Sequence, residues 1–306
     1  MVKPPRGYDY RMHSNEEDQG PAATPNETRN ALLRAQTRGY TQVRGLLVQL
    51  PEDDQNGKRS STLATFVHNR RHRALLLYLL LLGAWPGLEE SEEPLAAGVW
   101  IRALTSSKKG ALTWSDSALS RAWRDLVEMG LVVRERRARL VRVTPRREDG
   151  QAAYTRPSGR SDHDETYFVL PDGFWQDDLF GELSLPGLAM LLFFLRETNG
   201  KPEAKYTFDQ IEQWYGIARR TAQKGVQELL AANLLHARKE TVPAPLSATG
   251  KTTHIHYSLT GKYGHDTRAD LRKQAREARD ERQSNTTKKK PRRTRLPQHR
   301  KKEGSA

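Results

Sequence analysis

Two stretches of this 306-residue chain, 103 positions apart, carry the same order of apolar and polar side chains. In the later one, residues 215–239 (YGIARRTAQKGVQELLAANLLHARK), Ala222, Val226, Leu229 and Leu230 fall on one face of a helix of 3.6-residue period. Arg220, Gln223, Lys224 and Gln227 take the opposite face, with Arg219 just ahead of them. Asn233 tolerates the left-handed conformation that ends a helix, and residues 234–238 resume as a strand. A shift of 103 positions lays Trp123 on Val226, Leu126 on Leu229, Gly130 on Asn233 and Leu131 on Leu234. It also lays Ser117, Ser120, Arg121 and Arg124 on Arg220, Gln223, Lys224 and Gln227. Ordinary surface helices with solvated charged faces would share part of this pattern, but not the paired cap and strand. Solenoid repeats are about 20–50 residues long, so a spacing near 100 predicts tandem domains.

The exposed residues have the chemistry of base and phosphate contacts. Arg forks onto guanine, Gln pairs with adenine, and Lys and Ser reach bases or phosphates. A helix with such a face, followed by a hairpin, is the plan of a winged helix-turn-helix. The expected fold is therefore mainly α with β-hairpin wings: two tandem winged helix-turn-helix domains, a disordered N-terminus and a basic C-terminal tail. The pattern divides the chain into a disordered segment 1–23, a first domain 24–144 with an N-terminal extension, a flexible linker 145–165, a second domain 166–262 and a tail 263–306.

Within the first domain, Thr24, Pro25 and Glu27 form a capping box for a helix to about Arg38. Residues 46–50 read as a strand closed by Pro51, and 52–60 as a polar loop. The apolar run LLLYLLLLGAW predicts one core helix over 62–85, ended by Pro86 and Gly87. A helix over 96–104 and a recognition helix over 115–129 follow. Residues 131–136 and 140–144 form the first wing, with Arg136, Arg137 and Arg139 at its tip. In the second domain, 167–170 reads as a strand closed by Pro171, echoing 46–51. A short helix over 173–180, a Ser184-capped helix with LAMLLFFL as its buried body, a helix over 208–215 and a long second wing over 234–259 complete it.

Charge narrows the class of partner. The formal net charge is +14, and from Lys262 onward sixteen Lys and Arg stand against six Asp and Glu, so the basicity is concentrated in the tail. Its run 288–295, KKKPRRTR, predicts salt-dependent, sequence-independent affinity for phosphates, and residues 266–282 read as a solvated helix or none. The absence of cysteine excludes disulfides, Cys-ligated zinc and thiol chemistry. The first twenty residues lack the apolar core of a signal peptide, and the run 74–85 is shorter than the roughly 20 residues of a membrane span. A cytoplasmic protein that is no enzyme, uses no cofactor or metal and binds no membrane is expected, with double-stranded DNA as its partner.

Three constellations invite an enzymatic reading. His254, Ile255 and His256, followed by Tyr257 and Tyr263, resemble the histidine pair and tyrosine of metal-dependent nicking enzymes, though the strand has a simpler use as the return of a wing. His68 and His72, four apart, lack a third ligand nearby in sequence. The GKT at 250–252 lacks the glycine-rich approach and the strand-to-helix context of a phosphate loop.

The order strand, helix, helix, recognition helix, wing, taken twice over residues 45–260, resembles the tandem winged-helix replication initiators of plasmids. It is also similar to DNA-binding proteins of actinobacterial mobile elements, whose second domains open as YFVLPDGFW and LSLPGLAMLLFFL do here. That resemblance implies recognition of repeated sites in an origin or promoter, a homodimer, contacts with host replication proteins, and association with a bacterial nucleoid or plasmid. A transcription regulator with the same reading mode is the alternative.

Overall fold

A computed structural model describes residues 21–50, 61–137, 139–159 and 162–288. The disorder expected at the extreme N-terminus, the polar loop 52–60 and the basic run from residue 289 lie outside them. About half of the chain is helical, and its strands form small antiparallel sheets.

The expected capping box opens α1 (Pro25–Leu33): Thr24 N donates to Glu27 Oε2 at 2.8 Å and Glu27 N to Thr24 Oγ1 at 3.2 Å. The helix stops earlier than expected, and after a tight turn Thr37 and Gly39 take left-handed φ of 49° and 74°. The strand β1 is Tyr40–Arg44, not residues 46–50. Leu46, Leu47 and Val48 are all buried. Consecutive strand residues face opposite sides, so three buried neighbours fit a short 3-10 turn plugged into the core, which Gly45–Leu47 forms.

The single core helix expected over 62–85 is two helices, α2 (Thr62–His68) and α3 (His72–Ser91), broken where Arg70 takes φ 54°. Pro86 and Gly87 do not end α3, because Leu88 beyond them still packs on the core. The helix glycines serve close approach instead. A Cβ on Gly83 would lie 2.7 Å from Thr41 Oγ1 and 2.8 Å from Leu33 Cδ2, and one on Gly87 2.9 Å from Ala35 Cβ. At 20 residues α3 is long and apolar enough to cross a membrane, yet every residue from Ala74 to Trp85 is buried inside the protein.

The first unit is completed by α4 (Ala97–Leu104), α5 (Asp116–Glu128) and the hairpin β2 (Val132–Arg137) and β3 (Leu140–Pro145). The second contains β4 (Tyr167–Pro171), α6 (Gly173–Gln176), α7 (Leu185–Glu197), β5 (Ala204–Lys205), α8 (Phe208–Tyr215), α9 (Arg219–Ala231), β6 (Leu235–Pro243) and β7 (Lys251–Leu259). The two units pack alike: α5 lies on α3 and α4 as α9 lies on α7 and α8. The second adds β5 to its hairpin, with Ala204 opposite Tyr257.

The halves are fused. β1 pairs antiparallel with β4, Gln42 opposite Val169, so the partner of β4 is residues 40–44 and not the segment 46–51 whose echo was visible in sequence. One hydrophobic cluster runs from Leu33 to Tyr263 through both halves. The described residues of segment 145–165, expected as a flexible linker, are tied down around the fully buried Arg44. Its guanidinium meets Glu148 at 3.2 Å, the Thr155 carbonyl at 2.8 Å and Glu165 at 3.2 Å. These carboxylates hold the Arg44 pKa above its usual value against the opposing effect of burial.

The tail also departs from expectation. Residues His265–Lys288 form α10, which packs back on the protein. Arg268 is completely buried and donates to the carbonyls of Tyr263 (2.8 Å), Leu195 (2.9 Å) and Thr198 (2.8 Å). It thereby satisfies carbonyls left open at the C-terminal end of α7. Burial without a carboxylate lowers its pKa to about 10. Missing an apolar stripe, the sequence pattern hid an anchor made of an arginine.

Candidate nucleic-acid interface

Helix α9 buries Ala222, Gly225, Val226 and Leu229. Leu230, assigned to that face by spacing, sits at its margin and is 37% exposed. Arg219, Arg220, Gln223, Lys224 and Gln227 are all exposed, and the last four line one shallow cleft with Thr221 and Pro186. Gly216 (φ 71°) makes a three-residue turn from α8. Arg219 is set by that helix: its guanidinium meets Asp209 at 3.0 Å and its N–H reaches Glu212 Oε2 at 3.3 Å.

The seat of α9 is unusually close. A Cβ on Gly225 would lie 2.8 Å from the Pro186 carbonyl carbon and nearer still to its oxygen. Glu228, one turn on, accepts from Ser184 N at 2.6 Å and from the Ser184 hydroxyl, at the start of α7. A carboxylate of α9 thus caps the core helix beneath it, where the helix dipole favours negative charge. Asn233 then takes φ 54°, as its position predicted, and β6 begins.

Helix α5 repeats the arrangement. Ser115 caps it, accepting from Ala118 N at 3.3 Å, and Ala118, Leu119, Ala122, Trp123 and Leu126 face inward. Trp123 meets Trp100 of α4 edge-on, with ring centroids 5.4 Å apart. Ser117, Ser120, Arg121 and Arg124 are exposed; Arg124 is 3.9 Å from Glu128, and Arg121 Nε donates to the Ser117 carbonyl at 3.4 Å. Gly130, the counterpart of Asn233, has φ 71°. The connection before α5 is longer than its counterpart and is moored by Asp178, which accepts from Ser106 Oγ at 2.8 Å and Ser107 N at 3.0 Å.

Both hairpins project basic or apolar tips. Arg136 and Arg137 lie at the end of β2 with Arg139 just across the turn, all exposed. Strands β6 and β7 are nine residues each, about 30 Å long. Their tip carries Leu246 wholly exposed.

The enzymatic candidates are accounted for differently. His256 contacts Glu240 at 2.7 Å and Glu203 at 3.3 Å, and Arg238 holds the same Glu203 at 2.8 Å, so the ring sits in a network of charged side chains on and beside the β6–β7 hairpin. Tyr257 and Tyr263 are both buried, and burial raises both hydroxyl pKa values, the reverse of what a nucleophile needs. His72 is half-buried and held to about 4 by desolvation and by neighbouring Arg73. Gly250 and Lys251 close the tip of the β6–β7 hairpin, with Gly250 at φ 68°.

One basic feature lies outside the sequence-derived site: a cleft beneath α10 lined by Arg38, Arg156, Arg272, Arg276, Arg279 and Arg282. Comparisons with protein-family models, curated proteins and solved structures return no match.

Proposed function

We propose that the chain is a sequence-specific double-stranded DNA-binding protein built from two winged helices. In this reading α5 and α9 enter successive major grooves and the two hairpins are the wings. The observation that carries it is the duplicated placement of Arg220, Gln223, Lys224 and Gln227 and of Ser117, Ser120, Arg121 and Arg124 on exposed helix faces, each helix leading through a left-handed residue into a hairpin. Arg136, Arg137 and Arg139 would clasp phosphate or the minor groove, and Arg219 would approach the backbone. The resemblance to plasmid initiators favours replication initiation on a bacterial plasmid or mobile element, with host replication proteins as partners, a homodimer as the regulated state and the cytoplasm as its compartment. A transcription regulator would read DNA in the same way.

The test is selection of bound duplexes from a random pool by the full-length protein at about 150 mM salt, where nonspecific phosphate binding is weakened. The expected product is one motif with two half-patterns about one helical turn, roughly 34 Å, apart. Arg220→Ala and Gln223→Ala should each relax preference at a defined position by about 1–3 kcal/mol. Enrichment of no sequence would refute the reading. An origin plasmid that replicates only when this gene is supplied distinguishes initiator from regulator.

A further inference from the structure

The arginines of α10 fall at 268, 272, 276, 279 and 282, spacings of four and three that align them along one side of the helix. Arg268 and Arg272 pack against the protein on that side, and Arg276, Arg279 and Arg282 are exposed along a cleft. Arg272 donates to Asn199 Oδ1 at 2.8 Å and Arg282 to Thr37 Oγ1 at 3.0 Å, so α10 bridges the end of α7 in one half to the turn after α1 in the other. Beneath the bridge lies a cleft of about 860 Å³, walled by α10 on one side and by Tyr40, Gln42 and Tyr167 of the β1–β4 pair on the other. Arg38 and Arg156 line the same cleft, and no Asp or Glu is among its described lining residues.

This arrangement is electrostatically incomplete. Arg38 is lowered from its usual pKa first by burial and then by repulsion from Arg156 and Arg279. Buried and half-buried cations are ordinarily paired, as Arg44 is with Glu148 in the same protein. Here Arg38 meets the amide oxygen of Gln42 and Arg272 that of Asn199, both uncharged, while Arg156, Arg276 and Arg279 are exposed in the cleft, so the described lining residues supply no countercharge. Guanidinium forks match phosphate oxygens in geometry as well as charge. The cleft volume lies within the roughly 300–1,000 Å³ of small-ligand sites.

We propose that this cleft binds a small polyphosphate, either free or carried by a nucleotide, whose phosphates lie between the α10 arginines and Arg38 and Arg156. Bound there, it joins the two halves through α10. The site is separate from the proposed DNA-reading faces, and its occupancy does not depend on their being correct.

Titration calorimetry on the full-length protein with inorganic tripolyphosphate tests this, with ATP and a ten-nucleotide single strand as parallel probes and ionic strength matched throughout. Arg156→Gln/Arg279→Gln removes two exposed cleft charges, while Arg34→Gln/Lys273→Gln removes equal charge outside the cleft. The expected result is saturable binding of tripolyphosphate that falls at least tenfold in the cleft variant, persists in the charge-matched control, and persists in Arg220→Ala/Gln223→Ala. The unliganded cleft variant should also melt above the parent protein, because a repulsion has been removed. A sugar-phosphate source is indicated if ATP binds more tightly than tripolyphosphate with the same variant dependence. No saturable binding at millimolar concentration, or equal binding by the cleft variant and the parent, overturns the proposal. So does cleft-dependent binding of the single strand alone, which would make the cleft a nucleic-acid groove.

Discussion

Replacing Gly225 by Ala tests the link between packing and reading at one atom. Gly225 lies on the inner face of α9, and an added methyl would stand 2.6 Å from Met190 Cγ and 2.8 Å from the Pro186 carbonyl carbon. Met190 can turn away, but the Pro186 carbonyl belongs to the first turn of α7 and has no rotamer to change. Restoring an ordinary contact near 3.4 Å requires the two helices to part by at least about 0.6 Å, set against overpacking costs of about 1–3 kcal/mol. Alanine regains about 1 kcal/mol of helix propensity over glycine. The net expectation is a loss of up to about 2 kcal/mol in denaturant unfolding, with Gln223 and Lys224 displaced together. Displacement on that scale misaligns bidentate base contacts worth about 1–3 kcal/mol each, so affinity for the selected duplex should fall about tenfold with little change for random DNA. The first unit has Ala122 at the equivalent position, where the helices already accommodate the methyl. Ala122→Gly should therefore destabilise through propensity and lost burial alone. A Gly225→Ala protein as stable as its parent, with unaltered preference, would refute the claim that this seat positions the reading face.

Three further outcomes follow from the shared core. Inserting five base pairs between the half-patterns rotates one by about half a turn; with a fused core the protein should lose the contribution of one reading helix, measured as a drop in affinity to that of a single half-site, whereas a freely tethered pair would absorb the insertion. Glu148→Gln leaves Arg44 buried with only its partly exposed partner Glu165, and should cost about 3 kcal/mol in unfolding free energy while loosening the β1–β4 junction to hydrogen exchange. Asp172 is buried, and desolvation raises its pKa to about 7 despite a 2.5 Å bond from Gln36. The folded state therefore keeps a proton that the unfolded chain releases near 3.8, so stability is full below that value and declines as pH rises toward 7, by up to about 4 kcal/mol. Asp172→Asn should raise the melting temperature at pH 8 and change it little at pH 4; equal shifts at both would contradict the assignment.

The duplicated unit was legible because its signals are local. Periodicity fixed the inner faces of α5 and α9, and Gly130 and Asn233 marked their ends through a backbone requirement that few residues meet. Thr24 and Ser184 marked helix starts through side-chain oxygens that accept from the first turn, whereas the capping box at Thr207 went unread. What failed was whatever depends on a distant partner. Pro86 and Gly87 look like a helix stop until Ala35 is placed against Gly87. Segment 145–165 has the composition of a linker because the order of its described residues comes from Arg44, a hundred residues away in sequence. Helix α10 has no apolar stripe, so hydrophobic periodicity was blind to a helix whose attachment is Arg268 in a ring of carbonyls. The arginine spacing was visible throughout; that Arg268 and Arg272 pack against the protein was not.

Fusion of the halves changes how two reading helices would share one duplex. Two domains on a flexible tether gain affinity through effective concentration and tolerate varied spacing. Here the antiparallel β1–β4 pair, the Arg44 network and α10 all cross between halves, so relative motion of α5 and α9 must break buried ion pairs or hydrogen bonds. In the proposed reading, spacing would then become part of the sequence being read, and a site with perfect half-patterns at the wrong separation would be rejected. Selectivity gained this way costs adaptability, because the second helix can engage only where the fixed geometry already places it. A ligand that tightened the α10 bridge would sharpen that discrimination without touching either reading face.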